Sequence, residues 1–211
     1  MESENPVLLK PIAINVILAI IFIWLIKGVE LVFNWHFNIY GIEPRELSGL
    51  IGIPLAPLIH GSFEHLLSNT LALFVLTTAL FYEYPKAAKL SFLIIYLGSG
   101  LGVWLFARDA YHFGASGLTH GMMFFLFLIG VLRRDKPAMA LAMIVFFLYG
   151  SMVWGVLPTK EEISFETHLF GALMGVACAI IFRNKDPKPP EKKYSWEIED
   201  DENKDREEIL Y

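Results

Sequence analysis

The chain has 211 residues, 55% of them hydrophobic, with a mean hydropathy of +0.50 and a formal net charge of −5. That is too apolar for an ordinary water-soluble domain of this size. The charges form no basic stripe of the kind a nucleic-acid partner requires, and the single cysteine, Cys178, excludes an intramolecular disulfide.

Six apolar stretches of membrane length follow one another, over about residues 7–29, 66–84, 88–107, 115–132, 138–157 and 166–182. The first carries Lys10 near its start, ahead of the long apolar run Ile12 to Ile26, and lacks a small-residue cleavage pattern, so it reads as a retained span. Lys27 and Glu30 at its far end are expected to reach the interface. Residues 34–60 mix Trp35, Phe37, Tyr40 and Leu50 with Pro44, Pro54 and Pro57. They are too broken to cross a bilayer and read as a partly helical interfacial loop. Pro85 and Lys86 stop the second span. The third carries Gly98 and Gly102, a small-xxx-small pair suited to close helix contact. The fourth opens with Gly114-Ala115-Ser116-Gly117 and stops at Arg133-Arg134-Asp135-Lys136-Pro137. The sixth carries Gly171 and Gly175 and ends at Arg183. Residues 183–211, rich in Lys, Asp, Glu and Pro, are expected to be a solvated, largely disordered cytoplasmic tail after a transmembrane domain spanning 1–182.

Lysine and arginine set the orientation. With the N-terminus inside, inner segments hold thirteen of these residues and outer segments four, namely Lys27, Arg45, Arg108 and Lys160. Seven of the thirteen lie in the tail. The expected fold is therefore an all-α, six-helix membrane bundle with both termini inside. The second, fourth and sixth spans then run from outside to inside, and their polar residues cluster at their beginnings. His60, His65 and Asn69 open the second, Ser116 and His120 the fourth, and His168 the sixth. Polar groups at that depth normally face a bundle interior or a cavity.

Spacing supports convergence. His65 and Asn69 share a helix face, as do Ser116 and His120. His168, Gly171 and Gly175 share another. If the helix packed on Gly171 and Gly175 is the fourth span, with Gly117 and Gly121, then Ser116 and His168 meet across the contact. A serine at a helix N-terminus sits among unpaired backbone N–H groups, a suitable place for a nucleophile and an oxyanion. Glycine packing alone is the competing explanation of the Gly114–Gly117 motif.

The set His60/His65/Asn69 (H-x4-H-x3-N), Gly114–Gly117 (G-x-S-G) and His168/Gly171/Gly175 (H-x2-G-x3-G) resembles the rhomboid intramembrane serine proteases of the six-helix bacterial type. The resemblance covers residues from about 7 to 182. It implies a serine endopeptidase that cleaves transmembrane or membrane-adjacent segments of membrane proteins, with Ser116 as nucleophile and His168 as base. It implies that His65, Asn69 and the Ser116 backbone N–H bind the oxyanion. Gly114 would lie near the substrate carbonyl, and His60 would pack the first outer loop. No metal or organic cofactor is implied. The expected partners are a membrane-protein substrate and the lipid bilayer, with no nucleic acid. The expected location is a bacterial plasma membrane, with the site towards the outer face. The sequence leaves the oligomeric state, the substrate and the cleavage site open.

Three departures from the family pattern stand out. Ile51 and Gly52 occupy positions where a Trp-Arg pair is often found. His120 stands where a tyrosine usually stacks on the base, and either stacking or direct base chemistry is open to it. The acidic residue of the inner second span is displaced, with Glu83 nearby. Two other readings remain: an inactive rhomboid-like protein that binds membrane clients, and a membrane hydrolase with zinc held by His60, His65, His120, His168 and Asp109. The second lacks an H-E-x-x-H pattern.

Overall fold

The computed structural model describes residues 9–158 and 164–188. Its helices are α1 (Leu9–Val32), the short α2 (Gly52–Leu55), α3 (Phe63–Glu83), α4 (Pro85–Phe106), α5 (Ser116–Arg133), α6 (Lys136–Tyr149) and α7 (Phe165–Phe182). Six are long and apolar enough to span a bilayer, α6 with its 3-10 extension Gly150–Val156. No strand occurs among the described residues, only an isolated bridge between Ile42 and His112. With no water in the hydrocarbon, each span must satisfy its own backbone, which a helix does. Pro85 and Pro137 lie in the first turns of α4 and α6, where a missing N–H costs nothing. Residues 37–58 form short helical turns, as the broken composition predicts.

Helix α5 is the buried centre, with twelve of its eighteen residues buried, while α1 and α6 show most of their surface as large apolar side chains. Its main partner is α7, and the contact is made of backbone. A Cβ on Gly171 would lie 2.0 Å from the Gly117 carbonyl oxygen, and one on Gly175 would lie 2.1 Å from that of Gly121. The stagger continues upward, since Gly117 faces the Thr167 carbonyl. Gly98 and Gly102 play a different part. They receive the side chains of Met174 and Phe170 from α7, so there helix and side chain interlock and the backbones stay apart.

Two charged groups sit elsewhere than expected. Lys27 does not reach outward. It is buried, pairs with Glu30 at 2.7 Å and donates to the Gly61 carbonyl at 3.3 Å. A buried ammonium is tolerable only with such partners. The tail is not free from its first residue. Asp186 is buried and accepts from the backbone N–H groups of Lys86 and Ala87 at 2.8 and 3.1 Å, capping α4. Arg133 donates to the carbonyls of Asp186 and Pro187 at 2.7 and 3.0 Å and to the Asp135 carboxylate at 2.8 Å. Residues 183–188 thus clasp the ends of α4, α5 and α7, because orphan groups at helix ends need partners. Residues 189–211 lie outside the described residues, and so does the expectation for them.

Candidate functional site

The site forms where α3, α5 and α7 begin. Ser62 caps α3, its hydroxyl accepting from the His65 backbone N–H at 3.1 Å. Ser164 caps α7 in the same way through Thr167. The turn into α5 needs glycine at position 114, where φ is +115°, a conformation that strains any L side chain. That turn is held by the Gly114 N–H donating to the Ala56 carbonyl at 2.8 Å. A Cβ on Gly114 would also strike the His65 ring, at 2.6 Å from Cε1, so that imidazole lies directly against the turn.

Ser116 and His168 meet. Serine Oγ lies 2.9 Å from His168 Nε2. His168 Nδ1 lies 2.9 Å from the Gly155 carbonyl oxygen. A carbonyl can only accept, so Nδ1 carries the proton and donates, and Nε2 presents its lone pair to the serine O–H. Glu166 points away and pairs with Arg108 at 3.5 Å. A backbone carbonyl therefore orients this imidazole, in the place a carboxylate holds in a triad. The Gly117–Gly171 and Gly121–Gly175 contacts lie just below and fix the spacing of the two helices.

His120 stacks on His168, with ring centroids 3.9 Å apart and planes 7° from parallel. Its Nδ1 lies 2.7 Å from the Ser116 carbonyl oxygen and its Nε2 3.2 Å from that of Met152. A neutral ring donates to only one of the two at a time. Gly155 lies over both rings, where a Cβ would come within 2.8 Å of His120 Nε2 and 3.1 Å of His168 Nδ1. The 3-10 segment Gly150–Val156 is thus a roof of carbonyls above the imidazole pair.

Among known sequences, the chain matches the model of the Rhomboid domain over residues 46–185. The chain belongs to the rhomboid family. An uncharacterized protein of Mycobacterium tuberculosis (strain H37Rv) is 29% identical over 180 residues, covering 81% of this chain and 73% of its own length. One from Mycobacterium leprae is 26% identical over 180 residues, covering 81% and 69%. A Bacillus subtilis protein named "Putative rhomboid protease YdcA" is 31% identical over 129 residues, covering 56% and 60%. The chain is an integral multi-pass membrane protein of this family.

Asn69 is buried one helical turn below His65, and its amide donates to the His65 carbonyl at 3.0 Å, leaving a second N–H. His60 is buried and meets His65 edge-on at 5.1 Å, and its Nε2 accepts from the Ala115 N–H at 3.4 Å. It supports the turn before Ser116 from behind. Among the described residues its Nδ1 makes no hydrogen bond of good geometry, and the Leu58 carbonyl beside it offsets the effect of burial only in part. Burial, with His65 and Lys27 nearby, lowers its pKa from 6.5 to about 4. The unfolded chain therefore binds a proton that the fold refuses, so stability falls as pH drops from 6.5 towards 4. At about 1.4 kcal/mol per unit the loss approaches ~3 kcal/mol. We expect the unfolding midpoint in detergent to fall over that range, and His60→Gln to flatten the slope. An unchanged slope in the variant would assign the effect to other groups.

The rhomboid departures have structural counterparts. At Gly52 a Cβ would lie 2.3 Å from the Gly41 carbonyl oxygen, so no side chain fits there. Instead Arg45 ties the interfacial loop to the Ala107 carbonyl, at 2.7 Å, and to Asp109. Asp109 is thereby engaged away from the imidazoles, and no three His, Cys, Asp or Glu among the described residues group as metal ligands. Glu83 ends α3, half-buried. Sequence reasoning missed Met152 and Gly155, which act through backbone carbonyls and leave no residue-type signal. It also missed His112 and Ser164, which belong to no motif.

Proposed function

We propose that this rhomboid is an active intramembrane serine endopeptidase, acting on transmembrane or membrane-adjacent segments of other membrane proteins. The observation that carries the reading is Ser116 Oγ at 2.9 Å from the unprotonated Nε2 of an imidazole whose other nitrogen is anchored. A serine hydroxyl is a weak nucleophile until such a base takes its proton. In the proposed reaction, Ser116 Oγ attacks the scissile carbonyl carbon while its proton passes to His168 Nε2. The oxyanion accepts from the Ser116 backbone N–H and from the His65 and Asn69 side chains, each such donor worth about 3–4 kcal/mol. His168 returns the proton to the leaving amine as the C–N bond breaks, leaving an acyl-enzyme. Water then attacks the ester carbon, giving a proton to His168 Nε2, which passes it to Ser116 Oγ as the ester C–O bond breaks and the acid product leaves. The imidazolium formed in each half is held by the Gly155 carbonyl. We place both termini on the cytoplasmic side of a bacterial plasma membrane, with the site towards the outer face. The lysine and arginine distribution supports this orientation.

A serine-reactive fluorophosphonate probe tests the reading. Wild type should be labelled at Ser116 and should cleave a co-expressed single-span substrate. A folded wild type that is neither labelled nor active would mark an inactive client binder. His120 adds a second expectation, because stacking needs a flat ring and not a second base. His120→Tyr should stay within about tenfold of wild type, and His120→Ala should lose about 10- to 100-fold without being dead. Cleavage rates across pH decide the matter. If His120→Tyr is as inactive as His168→Ala, His120 acts in the proton transfer and not as a stacking plate.

A further inference from the structure

A second serine–histidine contact lies at the same end of the bundle as Ser116 and His168, outside the motifs that identify the family. His112 is buried at 2% exposure. Its Nε2 lies 3.0 Å from the Arg108 carbonyl oxygen and its Nδ1 2.6 Å from Ser164 Oγ. The carbonyl only accepts, so Nε2 carries the proton and Nδ1 accepts from the Ser164 hydroxyl. Ser164 in turn accepts from the Thr167 hydroxyl and from the Thr167 N–H. The direction of every bond in the chain is thus set. The His112 backbone is fixed as well, by paired bonds with Ile42 of 2.8 and 2.9 Å.

The placement is what matters. His112 lies four residues before Ser116, on the loop that delivers the nucleophile turn. Ser164 lies four residues before His168, at the cap of the helix that delivers the imidazole. Thr167, between Ser164 and His168, packs its methyl and carbonyl against Gly117, next to Ser116. Below the pair, glycine faces hold α5 to α7. Above it, His112–Ser164 is a direct hydrogen-bonded side-chain link between the two delivering segments, beside the Arg108–Glu166 ion pair. We propose that His112 is a positioning residue. Through Ser164 it sets the register of the loop before Ser116 against the start of α7, and hence the Oγ–Nε2 distance. This rests on the reading of Ser116 and His168 given above.

The two ring nitrogens can be tested apart, since an Asn amide reaches the place of Nδ1 and a Gln amide that of Nε2. His112→Asn keeps an acceptor for Ser164, and His112→Gln does not. With the full chain in bilayer nanodiscs, kcat and KM on a single-span substrate, fluorophosphonate acylation rate and amide exchange over 112–116 are compared. We expect His112→Gln to lower kcat and acylation about 10- to 100-fold with KM within about twofold, because misplacement affects the transition state and not binding. Exchange over 112–116 should rise. His112→Asn should recover most of the rate. Ser164→Ala should match His112→Gln in kcat. Equal rates in His112→Gln and wild type would overturn the proposal. So would equal loss in the Asn and Gln variants, which would mean that only bulk at position 112 matters. If wild type itself neither acylates nor cleaves, the reading of Ser116 fails. Exchange then still decides on the tie, with a rise in His112→Gln but not in His112→Asn supporting it and no difference overturning it.

Discussion

Ser116→Ala and His168→Ala are each expected to abolish cleavage of a co-expressed single-span substrate, with losses of about 10⁴-fold or more, and the double mutant is expected to be no worse. The reason is geometric. The hydroxyl and Nε2 are 2.9 Å apart, so in the proposed reaction neither is useful without the other. Without the imidazole the serine keeps its proton, and without the serine the imidazole has nothing to activate. Losses that act through one proton transfer do not add. The measurement is product yield in membranes, with protein level and melting checked for each variant. Substantial cleavage by either folded single mutant removes the pair from the mechanism. Losses that multiply in the double mutant would mean that the two residues act in separate steps.

The second large effect is expected at Gly171. Substitution by alanine puts a Cβ 2.0 Å from the Gly117 carbonyl oxygen and 2.8 Å from its carbonyl carbon. Both obstacles are helix backbone, so relief requires α7 to move away from α5. Overpacking of that kind costs about 3 kcal/mol or more. His168 lies one turn above Gly171, so the same movement carries Nε2 away from Ser116. A displacement of about 1 Å is enough to cost about 10²-fold in rate. Gly98→Ala is the control. Its Cβ would meet Met174 Sδ at 2.7 Å and Cγ at 3.0 Å, which belong to a flexible side chain that can turn aside. We expect Gly171→Ala to lose both melting temperature and cleavage, and Gly98→Ala to lose little of either. Equal behaviour of the two would show that the α5–α7 contact tolerates separation and does not set the site.

Much of this protein could be read from residue order. Length and apolarity of six stretches pointed to six long apolar helices, because an apolar run that long has few places to go but across a bilayer. Pro85 and Pro137 marked where helices restart. The period of the α-helix placed Ser116 with His120, and His168 with Gly171 and Gly175, on common faces. Charge patterning was less informative where charges find each other. Lys27 turned inward to Glu30 and Gly61, and Asp186 turned back to cap α4, since pairing outweighs exposure once a partner is within reach.

The sequence by itself determined an all-helical membrane bundle and the set of polar side chains where its second, fourth and sixth long helices begin. Only the tertiary structure decided how those side chains are oriented. His168 takes its tautomer from the Gly155 carbonyl, and His120 is bracketed by the carbonyls of Ser116 and Met152. Gly52 is glycine because the backbone of Gly41 crosses it, and His112 reaches Ser164 across 52 residues of chain. The physical reason is the same in each case. Every residue but proline carries the same amide and every residue the same carbonyl, so a backbone partner leaves no mark in residue type. Which carbonyl arrives at which imidazole is settled when the helices pack.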